Sequence, residues 1–205
     1  VLLIGVPAAV ALVILARPIL ITLFQYGALT PTDVDMAVLS LRAYSLGLIA
    51  FMLVKVLAPG FYARKDTATP VKIGIIAMAA NMVLNLLFVL PLMYFWNIGH
   101  LGLALATSVA AYINAGLLLR GLVREGVYHM QPQIVRYVLR LSLATLAMAL
   151  TLLWLAPDAP QWLSWDWHQR ALLLALSCAS GGVVYLLTHL LLGTRMRHLR
   201  APSGV

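Results

Sequence analysis

The sequence predicts an all-α fold, a polytopic membrane bundle of six transmembrane helices, and three observations carry that reading. Of 205 residues, 63% are hydrophobic and only 10% are charged, whereas soluble domains carry about 25% charged residues. The apolar residues fall into six runs of the roughly 20 residues that a membrane helix needs. The cations gather in short segments between those runs. A net charge of +8 distributed this way follows the positive-inside pattern of membrane proteins rather than a nucleic-acid-binding face. The single cysteine, Cys178, lies in an apolar run, which leaves no disulfide framework and no paired-cysteine metal site.

The first span is expected over about 1–25, with Pro7 near its start and Arg17-Pro18 interrupting it. Val1 already falls within an apolar stretch with no basic segment before it, so this is not a signal peptide, and the chain reads as lacking an N-terminal part. A turn-rich loop, residues 26–35, follows, in which Thr32 and Asp35 have the spacing of a helix start. The second span is expected over about 36–58, broken by Pro59-Gly60. Four cations lie between Lys55 and Lys72, so this segment reads as a short loop between spans two and three. The third span covers about 71–93 and ends near Pro91, ahead of the interfacial aromatic group Tyr94, Phe95 and Trp96. The fourth covers about 101–119, where Gly102, Ala104, Ala106 and Ser108 suit close helix contact. Residues 120–136 form a basic linker. The fifth span covers about 137–156, and a loop with Trp162, Trp165 and Trp167, expected at the membrane interface, leads to the sixth at about 171–193. The domain division that results is 1–119, 120–136 and 137–205.

Orientation follows from the cations. One side of the membrane receives Arg64, Lys65, Lys72, Arg120, Arg124, Arg136, Arg140, Arg195, Arg197 and Arg200. The other receives at most Arg17, Arg42 and Arg170, together with Asp33, Asp35, Asp158 and Asp166. The first side, with the C-terminal tail, is therefore expected in the cytoplasm.

No catalytic signature appears: none of the six acids is expected within a span, and the five histidines are scattered, four of them near loop ends. Polar groups within spans are costly and tend to mark pathways. Lys55 either snorkels to the interface or faces an internal cavity. Arg42, on the same helix, stands about 20 Å away along the axis; the two could line one wall and bind an anionic headgroup, or serve as separate interface anchors. Asn81 and Asn85 share a face of span three, and Thr107 and Asn114 share a face of span four. These stripes either bond the two helices together or line a hydrated cavity or an oxygen-lined site for a monovalent cation. Ser142, Thr145, Ser177, Ser180, Gly181 and Gly182 lighten spans five and six, allowing close approach or a groove for an acyl chain.

The segments Tyr44–Ala50, Val54–Lys72 and Leu23–Thr30 closely resemble the MurJ (MviN) family of bacterial lipid II flippases, within the multidrug/oligosaccharidyl-lipid/polysaccharide exporter superfamily. The resemblance extends over essentially the whole chain. It implies a fourteen-helix transporter of two six-helix lobes plus two C-terminal helices, of which these spans would be the ninth to fourteenth. It implies a multi-pass protein of the bacterial inner membrane that moves the lipid-linked peptidoglycan precursor to the periplasmic leaflet by alternating access. A central basic cavity would take the diphosphate headgroup, and a groove by spans five and six the polyprenyl tail. It further implies that the first lobe, a required partner, is missing here. Some members bind sodium in the second lobe, and Asn81, Asn85, Thr107 and the Leu103 carbonyl stand at the matching places, with Asn85 where a carboxylate would be stronger. The expected partners are lipid II and the membrane, with no nucleic acid, no metal, and no cofactor beyond a sodium ion or proton as coupling ion. The alternatives are a drug/cation antiporter or another lipid-linked oligosaccharide exporter of the superfamily, or a non-transporting membrane scaffold for cell-wall synthesis.

Overall fold

The computed structural model describes residues 1–26, 29–127, 133–155 and 159–192. Its helices are α1 (Leu2–Phe24), α2 (Pro31–Tyr62), α3 (Ala68–Trp96), α4 (Gly99–Arg124), α5 (Gln133–Leu155), α6 (Ala159–Ser164) and α7 (Trp167–Leu191), with no strand among the described residues. Six of them, all but α6, are long and apolar enough to cross a membrane. They fall into two compact units, Val1–Met130 and Gln131–Val205.

In the first unit α2 packs between α1 and α4, while α3 rests on α4 and scarcely touches α2. The α1–α2 contact is antiparallel. Gly5 gives room to Met52, Arg42 donates its Nε–H to the Val13 carbonyl at 3.1 Å, and Arg17 pairs with Asp35. Helices α2 and α4 run parallel, bound by small residues and hydroxyls. A Cβ on Gly47 would stand 2.5 Å from Ser108 Oγ, which instead donates to the Ala43 carbonyl at 2.8 Å. One turn further on, the Tyr112 hydroxyl donates to the Leu46 carbonyl at 2.7 Å. Helix α3 meets α4 backbone to backbone, since a Cβ on Gly102 would come within 2.8 Å of Val89 N and Cα. Such approach through glycine is how apolar helices gain packing energy without a solvent-driven term.

Several boundaries differ from the sequence expectation. Helix α2 starts earlier, capped by Thr30 rather than Thr32: the Asp33 N–H donates to Thr30 Oγ1, and the Thr30 N–H to Asp33 Oδ2. Asp33 and Asp35 thus lie in the first turns of the helix. Pro59-Gly60 does not break α2, which runs on to Tyr62. Pro59 costs one backbone bond, to the Lys55 carbonyl four residues back, but the residues beyond it are held by packing. Gly60 abuts Leu122, and Phe61 is fully buried with Ile73, Leu118 and Leu122. Likewise α3 passes through Pro91 and stops only at Asn97, whose φ of 57° is left-handed. Local breakers predict an end only where tertiary contact does not hold the helix.

In the second unit α5 buries Leu141, Ala144, Thr145, Met148 and Leu152, and α7 buries Ser177, Gly181, Tyr185 and His189. Gly181 lies against Leu152 and Met148. His189 is a core residue, its Nε2 3.1 Å from the Tyr185 hydroxyl. The tryptophan segment is also more ordered than a loop. Trp162, on α6, is 2% exposed, and Arg170 ties this segment to α7 by donating to the Leu163 and Trp165 carbonyls at 2.8 and 2.7 Å. Trp167 alone of the three is well exposed.

Candidate functional site

Because α3 leans on α4 and not on α2, an open cavity of about 440 Å³ remains between the three helices. Its polar lining is Lys55 from α2, Asn81 from α3, and Thr107 and Asn114 from α4. Its apolar lining is Phe51 and Val54 on α2, Met78 on α3, and the small residues Gly74, Ala77, Ala110 and Ala111. The size falls within the range of small-molecule pockets.

Each polar group arrives by helical spacing. Thr107 and Asn114 are two turns apart on α4, and Gly74, Ala77 or Met78, and Asn81 succeed one another up one face of α3. The packing contacts order the cavity along its length. Ile73, next to Gly74, belongs to the Phe61 cluster, and Lys55 precedes Phe61 by under two turns of α2. Lys55, Gly74 and Asn114 therefore share the end of the cavity nearest that cluster. Asn81 and Thr107 lie further in, toward the Gly102–Val89 contact.

The electrostatics are one-sided. Lys55 is exposed and forms no ion pair with a described residue; the described pairs are Arg17–Asp35 and Arg64–Glu125. No carboxylate lines the cavity. The Asn81 Oδ1 atom is buried without a hydrogen-bond partner, a costly state in an apolar surround. Thr107 spends its hydroxyl hydrogen on the Leu103 carbonyl at 2.8 Å. The wall thus offers one full positive charge with neutral amides and a hydroxyl, a set that suits an oxyanion carrying additional polar groups.

The remaining candidates from the sequence lie elsewhere. Arg42 is turned onto α1 through Val13 and is not part of the cavity lining. Asn85 and Leu103 are also outside it, although Asn85 Oδ1 is buried and unpartnered like that of Asn81. Among the described residues no group of three or more His, Cys, Asp or Glu could hold a metal ion. Gly74 escaped sequence reasoning, although its position seven residues before Asn81, on the same helix face, was a usable signal.

A family model described as "Lipid II flippase MurJ" matches residues 1–166, a span that holds every lining residue of the cavity. The chain belongs to the MurJ family. The probable lipid II flippase MurJ of Vibrio cholerae is 48% identical over 199 residues, which is 97% of this chain and 37% of that protein. Its counterpart in Haemophilus influenzae is 44% identical over 197 residues, 96% of this chain and 37% of the relative. The lipid II flippase MurJ of Burkholderia cenocepacia is 39% identical over 165 residues, 80% of this chain and 30% of the relative. The chain thus spans little more than a third of the length of these MurJ relatives, and its six apolar helices make it a multi-pass membrane protein of that family.

Proposed function

We propose that this chain is the C-terminal portion of a transporter that moves lipid II, the undecaprenyl-diphosphate-linked sugar-peptide precursor of peptidoglycan, from the cytoplasmic to the periplasmic leaflet of the inner membrane by alternating access. Family membership supports the substrate, and the observation that carries the chemistry is the cavity between α2, α3 and α4. An ammonium with amide and hydroxyl neighbours and no carboxylate fits an anionic diphosphate or sugar-peptide headgroup. The same charge set disfavours a drug/cation antiporter, which needs an acid to exchange a proton for a cation. It also disfavours a sodium ion at Asn81, Asn85, Leu103 and Thr107, so coupling to sodium or protons falls to groups outside these residues. In this reading the Arg64–Lys72 end and the C-terminal tail face the cytoplasm, and Lys55 meets the headgroup near the leaflet where lipid II is made. The missing first lobe completes the central cavity.

The test is charge reversal in the intact transporter. Lys55→Glu replaces a charged hydrogen bond by repulsion and is expected to lower lipid II translocation by about tenfold to a hundredfold. Arg42→Glu, which removes only an interhelical contact in α1–α2, is expected to act through stability instead. Normal translocation by Lys55→Glu would overturn the assignment of the headgroup to this cavity.

A further inference from the structure

Gly74 on α3 and Gly116 on α4 share a property with Gly182 on α7: a Cβ at any of these three helical positions would meet nothing within 4 Å. Most glycines in these helices are explained by close packing, as Gly47 is by Ser108 and Gly102 by Val89. Glycine within a helix is unfavourable relative to alanine, and at Gly74 no packing contact offsets that cost. Gly74 does, however, line the cavity, whereas Gly116 does not. It sits beside Ile73, at the cavity end that also holds Lys55 and Asn114.

The geometry points to Gly74 as the residue that sets the width of the cavity where a ligand reaches the Lys55 ammonium. With hydrogen in place of a side chain, that end admits a branched anionic group of diphosphate size. A side chain reaching past Cβ fills the space opposite the lysine and leaves only a narrow slot. Selection is then by size at Gly74 and by charge at Lys55, two separable properties of one cavity. This inference rests on reading the cavity as the headgroup site.

Two experiments in the intact transporter separate the failure of one idea from that of the other. In the first, lipid II translocation is compared for Gly74→Leu and Gly116→Leu, the same change at two open helix positions, leucine being the better helix former at both. Gly74→Leu is expected to fall by about tenfold or more, the loss of one charged hydrogen bond, while Gly116→Leu keeps the parent rate. Full activity of Gly74→Leu overturns the proposal, and so does an equal loss in both variants, which marks a general helix effect. The second experiment needs no transport. With Cys178→Ser as background, Lys55→Cys is reacted with a small and a bulky anionic thiosulfonate reagent. Adding Gly74→Leu is expected to slow the bulky reagent by about tenfold and the small one little. Equal rates for both reagents with and without Gly74→Leu overturn the geometry even if the parent protein moves lipid II. A size effect in a protein that moves no lipid II keeps the geometry and overturns the substrate.

Discussion

Asp66 shows how a charged loop residue acts through local backbone geometry. The chain leaves α2 in a closed turn: the Asp66 N–H reaches the Phe61 carbonyl at 3.1 Å and the Lys65 N–H the Tyr62 carbonyl at 2.9 Å. This is the pairing of a helix end with a left-handed residue, here Lys65 at φ 60°. Asp66 then accepts the Thr69 N–H at 3.0 Å, capping the first turn of α3. Hydrogen bonds from the Thr69 side chain and then its backbone hold the Asp66 carboxyl below its ordinary value of 3.8. A carboxylate with a lowered pKa stabilises the folded cap above the ordinary value and loses that contribution as pH falls through the lowered one. Amide exchange at Thr69, corrected for its intrinsic rate, is therefore expected to be slow at neutral pH and to accelerate only in acid below 3.8. In Asp66→Ala it should be fast at every pH, and an unchanged exchange rate in that variant would refute the cap. None of this was legible in the sequence, where Lys65 and Asp66 read only as loop charges. Glycine is the usual signal for a left-handed residue, and lysine gives none. By contrast Lys55, Asn81, Thr107 and Asn114 were legible as candidates, because polar residues at helical spacing in apolar runs stand out against their background. That Arg42 turns onto α1 accords with the thirteen residues that set it about 140° around the helix from Lys55, whereas that Asn85 lies beyond the cavity depends on where α3 meets its neighbours, and spacing does not encode that.

Among the elements, the α2–α4 pair is the frame on which the cavity depends. Its far end is plugged by Phe61, which is fully buried among Ile73, Leu118 and Leu122. Gly121 lies so near that a Cβ there would come 2.9 Å from Phe61 Cζ. Just beyond, Arg64 and Glu125 pair across the two helix ends, each side chain more than a third exposed. Packing outweighs charge at this junction. Truncating a buried aromatic costs about 3–5 kcal/mol, whereas an exposed ion pair contributes about 0–1 kcal/mol and is screened by salt. Thermal unfolding of the intact protein in nanodiscs is expected to show a large drop for Phe61→Ala and little change for Arg64→Gln. The reverse order would mean that the ion pair, not the plug, joins α2 to α4. The plug also explains why the proline–glycine pair at 59–60 misled as a helix end. A proline one turn from a buried phenylalanine loses one hydrogen bond, while the contacts of Gly60 and Phe61 retain the helix.

At the scale of the molecule, six spans were legible because length and hydropathy alone define them, but the packing order was not. Helix α3 follows α2 in sequence and yet rests on α4, because the Gly102–Val89 approach fixes it there. The cavity exists only through that arrangement. The direction in which it opens depends on how the first unit sits in the bilayer, and the charges argue for one answer. Arg64, Lys65 and Lys72 gather at the end of α2 and the start of α3, joined there by Arg124 at the end of α4. The opposite end of α3 carries Tyr94, Phe95 and Trp96, exposed by 84%, 68% and 66%, as befits aromatic residues at a membrane interface. Cations are retained on the cytoplasmic side during insertion, so the orientation proposed above would set the aromatic end at the periplasmic face and the Lys55 end of the cavity toward the cytoplasm. In a Cys178→Ser background, a membrane-impermeant thiol reagent applied to spheroplasts is expected to label Tyr94→Cys, and to label Lys65→Cys only after lysis. The opposite pattern would invert the unit, set Lys55 at the periplasmic face, and make the cavity a point of headgroup release rather than of capture.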